Sequence, residues 1–189
     1  MLDGIIIREA RPSDAEALCK IYNYYVQNTA ITFEEDALSV EEFAKRMQKI
    51  KKFYPYFVAE CDGKIAGYTY AWKFKERSAY DWSCETTIYV SKEASGHGTG
   101  RALYTALENA LKSQGIVHMY ACIASIEEED EYLTNASIKF HKKMGFVPCA
   151  KFARCGNKFG RWYDMEWLEK QISECKPNPT RPRAYRKFE

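Results

Sequence analysis

The sequence predicts an α/β domain of the α+β type, built on one central, mostly antiparallel sheet with helices packed against it. Three observations lead there. Short apolar runs bounded by turn residues recur as strand signals. Between them lie stripes with helical spacing, introduced by capping residues. One strand signal enters a Gly-x-Gly-x-Gly turn at Gly96, Gly98 and Gly100 and leaves it as an amphipathic helix.

The elements follow in order. Gly4 to Glu9 reads as a first strand. Ser13 reads as an N-cap with Glu16 closing a capping box, and Leu18, Ile21, Tyr22 and Tyr25 line one face of the helix that follows. After the apolar link Ile31-Thr32-Phe33-Glu34, Ser39 and Glu42 repeat the device ahead of Phe43, Met47 and Ile50. Tyr56 to Glu60, the turn Asp62-Gly63, and Ile65 to Trp72 read as a β-hairpin. A polar, aromatic stretch from Lys73 to Trp82 precedes the strand at 85–90. The helix after the glycines carries Leu103, Leu107 and Leu111 and stops at Gly115. Val117 to Ile123 reads as a buried strand. The acidic block Glu127 to Glu131 reads as a solvated loop or helix start. Asn135 to Met144 is a helix with Ile138 and Phe140 inward. Two last strands run to about Phe152 and from Trp162 to Trp167, the second passing into a short helix ending at Cys175. Residues 1–175 form the domain, and 176–189 a basic, proline-containing extension expected to be loosely attached.

The bulk numbers exclude several classes. With 189 residues and 46% hydrophobic content, the chain suits a single globular domain with a sizeable core. A net charge of +2 gives no pull toward nucleic acid or a membrane surface. The seven cysteines are odd in number, lack a Cys-x-x-Cys pair and mostly sit in apolar runs, which points to a reducing compartment and no zinc site. The three histidines have no spaced partners, so no metal is expected. Without a signal-peptide pattern or a run of roughly 18 apolar residues, the expected location is the cytoplasm.

The glycine turn admits three readings. It can be a plain strand–helix connection. It can be a dinucleotide site, but that needs G-x-G-x-x-G and an acidic residue about 20 positions on, whereas the next apolar run ends in Ala124 and Ser125. It can be a cradle for the pyrophosphate of coenzyme A, with glycines admitting close backbone approach and a helix N-terminus supplying partial positive charge. No Gly-Lys-Ser/Thr sequence follows, so it is not a nucleoside triphosphate loop.

Three separated segments narrow the choice. Arg77 to Val90, Lys158 to Asp164, and Ile31 to Glu34 closely resemble segments of phosphinothricin-type N-acetyltransferases, a branch of the GNAT acetyltransferase superfamily. The resemblance runs over roughly residues 5–170. It implies a GNAT-like single domain with helices on both sheet faces and two strands splayed to hold acetyl-CoA. It implies transfer of an acetyl group to a primary amine of a small molecule. Ile88, Tyr89 and Val90 would pair with the pantetheine arm. Ser95, Gly96, His97, Gly98, Thr99, Gly100 and Arg101 would hold the pyrophosphate, and Asn135 would reach the pantetheine or thioester. Glu85 is the candidate base, with a backbone N–H near Val90 as oxyanion donor and His141 or a nearby tyrosine returning a proton to the thiol. Phe33, Arg77, Tyr80 and Trp82, with Lys158 and Arg161, would form the acceptor pocket and favour small anionic amino acids. Homodimers are common in this family.

The chain departs from the pattern at Ser95, where the family usually has Gln or Arg; cofactor affinity then leans on backbone N–H groups and Arg101. Many superfamily members place a tyrosine where His141 stands. The acidic block is longer than in compact members and lies near the cofactor mouth. Two alternatives stay open: acetylation of another amine (an antibiotic, polyamine or peptide), and a non-catalytic acyl-CoA sensor.

Overall fold

A computed structural model describes residues 4–186. Seven strands form one sheet in the order β1-β2-β3-β4-β5-β7-β6. They are β1 (Ile6–Glu9), β2 (Tyr56–Cys61), β3 (Lys64–Lys73), β4 (Ser83–Val90), β5 (His118–Ser125), β6 (Val147–Lys158) and β7 (Arg161–Gln171). The helices are α1 (Ala15–Asn28), α2 (Val40–Lys51), α3 (Thr99–Gln114) and α4 (Ala136–Lys143). All pairings are antiparallel except that of β4 with β5.

Helices cover both faces, because successive strand residues point to opposite sides. On β4, Tyr89 meets Tyr22 of α1 with ring centres 5.1 Å apart, while the Thr86 hydroxyl lies 3.3 Å from that of Tyr104 on α3. The apolar stripe of α3 predicted from its spacing is realised: Leu103, Leu107 and Leu111 are fully buried. Burying each stabilises the fold by roughly 1.5–3 kcal/mol before entropy is counted. A smaller cluster of Ala30, Ala124, Leu133 and Tyr163 sits apart from the main core.

Ser39 and Glu42 form the expected capping box, with Glu42 N–H donating to Ser39 Oγ at 3.2 Å and Ser39 N–H to Glu42 Oε2 at 3.0 Å. The first helix is corrected. Residues Pro12–Asp14 form a 3₁₀ turn, and Asp14, not Ser13, organises the entry. Its carboxylate accepts from the Arg11 N–H at 2.7 Å and pairs with Arg8 at 2.7 Å. The short helix expected before Cys175 is absent: β7 continues to Gln171 because its Met165-to-Gln171 half pairs with β5 throughout, with Leu168 fully buried. That pairing overrides the helix preference of Leu168-Glu169-Lys170-Gln171. Likewise β6 reaches Lys158 rather than Phe152, through a bulge between Phe152 and Gly156.

The described part of the C-terminal extension, residues 176–186, is tethered rather than loose; 187–189 lie outside the described residues. The Trp82 indole donates to the Thr180 carbonyl at 3.0 Å, Arg181 pairs with Asp81 at 2.5 Å, and Gln114 Nε2 donates to the Arg183 carbonyl at 2.8 Å. Tyr185 donates its N–H to the Phe53 carbonyl at 2.8 Å and sets its ring edge-on against Phe57. Among the described residues no helix is long and apolar enough to cross a membrane.

Candidate active site

β4 and β5 pair only at Ser83–His118, Cys84–Met119 and Glu85–Tyr120. Beyond Glu85 they separate, while β5 stays paired with β7 as far as Ser125. Thr86 marks the fork by donating its hydroxyl to the Tyr120 carbonyl at 3.1 Å. The β5-facing edge of β4 beyond Thr86 is therefore open to an extended ligand pairing as an added strand, with the Val90 carbonyl at its end accepting from the Tyr25 hydroxyl.

Two cavities meet at this fork and share Ile31, Ile88, Tyr89 and Ser137. The wider, about 550 Å³, runs along the glycine turn. Gly96 and Gly98 have φ of 82° and 89°, and an added Cβ at either meets nothing within 4 Å. Glycine is thus required there by backbone conformation, and the space beside it is open. Gly100 differs: a Cβ there would approach the Phe140 ring to 3.2 Å, so glycine brings α3 close to α4. Gly98 is the N-cap of α3 and no side chain caps it, so the first N–H groups of the helix face the cavity without intrahelical partners. Val90, Ser95, Gly96, Gly98, Gly100 and Arg101 all line this cavity.

The second cavity, about 300 Å³, is a chamber lined by Phe33, Glu85, Tyr104, Cys122, His141 and Met165 among others. Glu85 is part-buried, and burial pushes its pKa above the ordinary carboxylate value; Lys75 lies close enough to pull it partly back. Burial lowers the His141 pKa to about 4. The imidazole is therefore neutral. Its Nδ1 lies 2.8 Å from the Ser137 carbonyl, which can only accept, so Nδ1 carries the proton. Nε2, 2.8 Å from the Tyr104 hydroxyl, accepts from it. The transferable proton on this wall belongs to Tyr104, and burial holds that phenol well above its usual pKa.

The structure brings together Phe33, Glu85, Ile88, Tyr89 and His141 around the chamber, and places the others differently. His97 is exposed and outside both cavities; Thr99 is buried, its hydroxyl donating to the Ala94 carbonyl at 3.3 Å. Asn135 is the N-cap of α4, and its amide donates to the Ile126 carbonyl at 2.8 Å, which spends it on the loop. Arg77 and Tyr80 are exposed and line neither cavity. Three of the expected acceptor residues have partners within the protein. Trp82 holds the C-terminal extension. Lys158 is buried on the carbonyls of Val26 and Thr32. Arg161 pairs with Asp130 at 3.0 Å and Glu131 at 2.8 Å. The acidic block is accordingly a folded turn: Asp130 also accepts from the N–H groups of Tyr132 and Leu133 and from the Tyr163 hydroxyl.

Several lining residues escaped the sequence reading. Tyr104 sits within the Leu103–Leu107 stripe and reads as core. Cys122 and Met165, with sulfurs 2.9 Å apart, lie on strands whose faces sequence does not distinguish. Lys139 and Lys143 line the wider cavity beside Arg101, and their spacing of four on α4 was the available signal. Lys75 sits near Glu85 with its ammonium over the rings of Phe74 and Trp167, 4.9 and 5.7 Å from their centres.

Comparison with known proteins agrees with this fold. The chain is 30% identical over 177 residues to a phosphinothricin N-acetyltransferase of Streptomyces viridochromogenes, covering 93% of each. It is 28% identical over 169 residues to an L-methionine sulfoximine/L-methionine sulfone acetyltransferase of Salmonella typhimurium, covering 89% of this chain and 95% of that one. The solved structure of a GNAT superfamily phosphinothricin acetyltransferase from Sinorhizobium meliloti, in complex with AcCoA, superimposes with a TM-score of 0.84 at 33% identity, covering 93% of both chains. Residues 7–167 match the family described as the acetyltransferase (GNAT) domain, and the chain belongs to that family.

Proposed function

We propose that this GNAT protein moves an acetyl group from acetyl-CoA to the primary amine of a small amino-acid-like acceptor, of the phosphinothricin or methionine sulfoximine type. The observation that carries the reading is the position of Glu85: a part-buried carboxylate at the last paired residue of the fork, in the chamber adjoining the glycine-lined cavity. The residues fit the ligand. The αL glycines leave space beside the backbone, the α3 N-terminus offers uncapped N–H groups, and Arg101, Lys139 and Lys143 put positive charge along one cavity, as phosphates require.

Bound acetyl-CoA supplies an activated acetyl group and a thiol leaving group. The protein's own part is proton handling and placement. An alkyl ammonium must lose a proton before its nitrogen can attack, and Glu85 receives it directly or through one water. A carboxylate whose pKa is raised by burial is the better base near neutrality. A backbone N–H near Val90 stabilises charge developing on the acyl oxygen. The Tyr104 hydroxyl, which rests donating to His141 Nε2, serves the departing thiolate by turning that one O–H toward the sulfur; its raised pKa favours donating over ionising. Lys75, exposed outside the chamber but near enough to Glu85 to pull its raised pKa partly back, is the cation we assign to an acceptor carboxylate. The exposed Phe152 and Trp162 on the β6–β7 hairpin support a homodimer, and seven unpaired cysteines support a reducing, cytoplasmic location.

The test is acceptor-dependent thiol release from acetyl-CoA, with a no-acceptor control for the protein's own cysteines. The panel holds phosphinothricin, methionine sulfoximine, methionine sulfone, a polyamine and a short peptide. Turnover confined to the amino-acid analogues is expected. Turnover on the polyamine or peptide alone moves the acceptor class. Acetyl-CoA binding with no turnover across an extended amine set supports a sensor instead.

A further inference from the structure

Lys158 is only 3% exposed, yet it has no carboxylate partner within ion-pair distance among the described residues. Its ammonium donates to the Val26 carbonyl at 2.7 Å and to the Thr32 carbonyl at 2.8 Å, and lies 5.2 Å from the centre of the Phe159 ring. Burying a cation is costly, and burial depresses its pKa, with Glu35 and Glu34 near enough to offset this only in part. What the two carbonyls have in common explains the arrangement. Val26 is in the last turn of α1, where carbonyls lack intrahelical donors; the N–H of Ala30, four residues on, goes to the Tyr132 carbonyl at 3.0 Å instead. Thr32 supplies the peptide group that leads directly into Phe33. One ammonium thus ties the end of α1 to the peptide from which the Phe33 side chain departs.

Gly156, two residues earlier on β6, acts on the ring itself. A Cβ built there would fall 2.3 Å from Phe33 Cε2 and 2.6 Å from Cδ2. Gly156 does not have a positive φ, so glycine is needed for space, not conformation. Residues two apart on a strand face the same way, so a single face of the hairpin arm holds both the backbone and the ring of Phe33. Phe33 in turn lines the chamber that contains Glu85.

We propose that Lys158 and Gly156 are positioning residues that set the Phe33 wall of the chamber, so that the β6–β7 hairpin decides which acceptor side chains fit. The inference rests on the acetyltransferase reading above. Neither residue lines the chamber; each acts through Phe33.

The test uses Gly156→Ala and Lys158→Met in the full chain, each measured on a short acceptor (alanine) and a long one (methionine sulfone). Acetyl-CoA affinity is followed by calorimetry. Gly156→Ala is expected to change the ratio of kcat/KM for the long over the short acceptor at least fivefold, with acetyl-CoA affinity held within twofold. Lys158→Met is expected to raise the acceptor KM more than it lowers kcat. In a Phe33→Ala background the added Gly156→Ala should be silent, which a general packing defect would not be. If Lys158→Met fails to fold, the Gly156→Ala ratio and the Phe33→Ala background decide the matter. Active variants with the wild-type ratio overturn this inference alone, as does a loss of acetyl-CoA binding in step with turnover. A wild type that turns over no amine overturns the acetyltransferase reading and this inference with it.

Discussion

The two cavities at the fork are built from different kinds of sequence. The wider one takes its floor from one short stretch, Ser95, Gly96, Gly98, Gly100 and Arg101, and keeps its cations at the surface, with Arg101, Lys139 and Lys143 exposed. The chamber takes one or a few residues each from separated stretches: Phe33, Glu85, Tyr104, Cys122, His141 and Met165. The cations expected there, Lys158 and Arg161, are committed to carbonyls and to the acidic turn. A phosphate cradle needs backbone N–H groups and charge in water's reach. A proton-transfer chamber needs carboxylate and imidazole groups whose pKa values are moved by desolvation. The same residue type is therefore left exposed along one cavity and committed to the scaffold beside the other.

Desolvation at the chamber sets the largest expected effect. His141 has a folded pKa of about 4 against an ordinary 6.5. As pH falls, the unfolded chain takes up this proton first, so the contribution to stability is full above pH 6.5 and is lost between pH 6.5 and 4. The difference is worth about 3 kcal/mol. Urea midpoints at pH 7 and pH 4.5 should fall further apart for wild type than for His141→Gln. Equal spacing in the two proteins would mean that this wall is wetter than its burial indicates.

At the wider cavity the effects are smaller and salt-sensitive. Arg101→Ala or Lys143→Ala should weaken acetyl-CoA binding by about 1 kcal/mol each, roughly fivefold, with the loss shrinking at high salt. The acceptor KM should not move. Calorimetry at two salt concentrations checks this, and an acceptor effect would merge the two cavities' roles. The smallest effect is expected at Arg161. Its guanidinium is exposed and already paired, so Arg161→Ala should leave the acceptor KM within roughly twofold. A larger rise would return Arg161 to the acceptor site.

This contrast also accounts for what could be read in advance. The order of elements along the chain, the Ser39–Glu42 cap and the glycine turn rest on local rules, in which neighbours along the chain are neighbours in space. Glu85 and Phe33 came through resemblance to a family, because nothing local distinguishes a strand glutamate at a fork from one on a surface. Tyr104 was hidden by its own helix, where an apolar stripe makes a buried hydroxyl look like core. The partners that hold Lys158 and Trp82 were not legible, because Thr32 and Thr180 lie 126 and 98 residues away in the chain. The final helix was misread because the pairing of β7 with β5, a tertiary contact, outweighed local helix preference.

The most direct test of the account is Glu85→Gln, measured as kcat/KM for the preferred acceptor together with the Kd for acetyl-CoA. The amide keeps the shape of the side chain and removes its capacity to take a proton. A fall in kcat/KM of about 10²-fold or more, with the Kd unchanged, is the predicted result. A variant that retains turnover within a few-fold of wild type would contradict the account and move the base to another group.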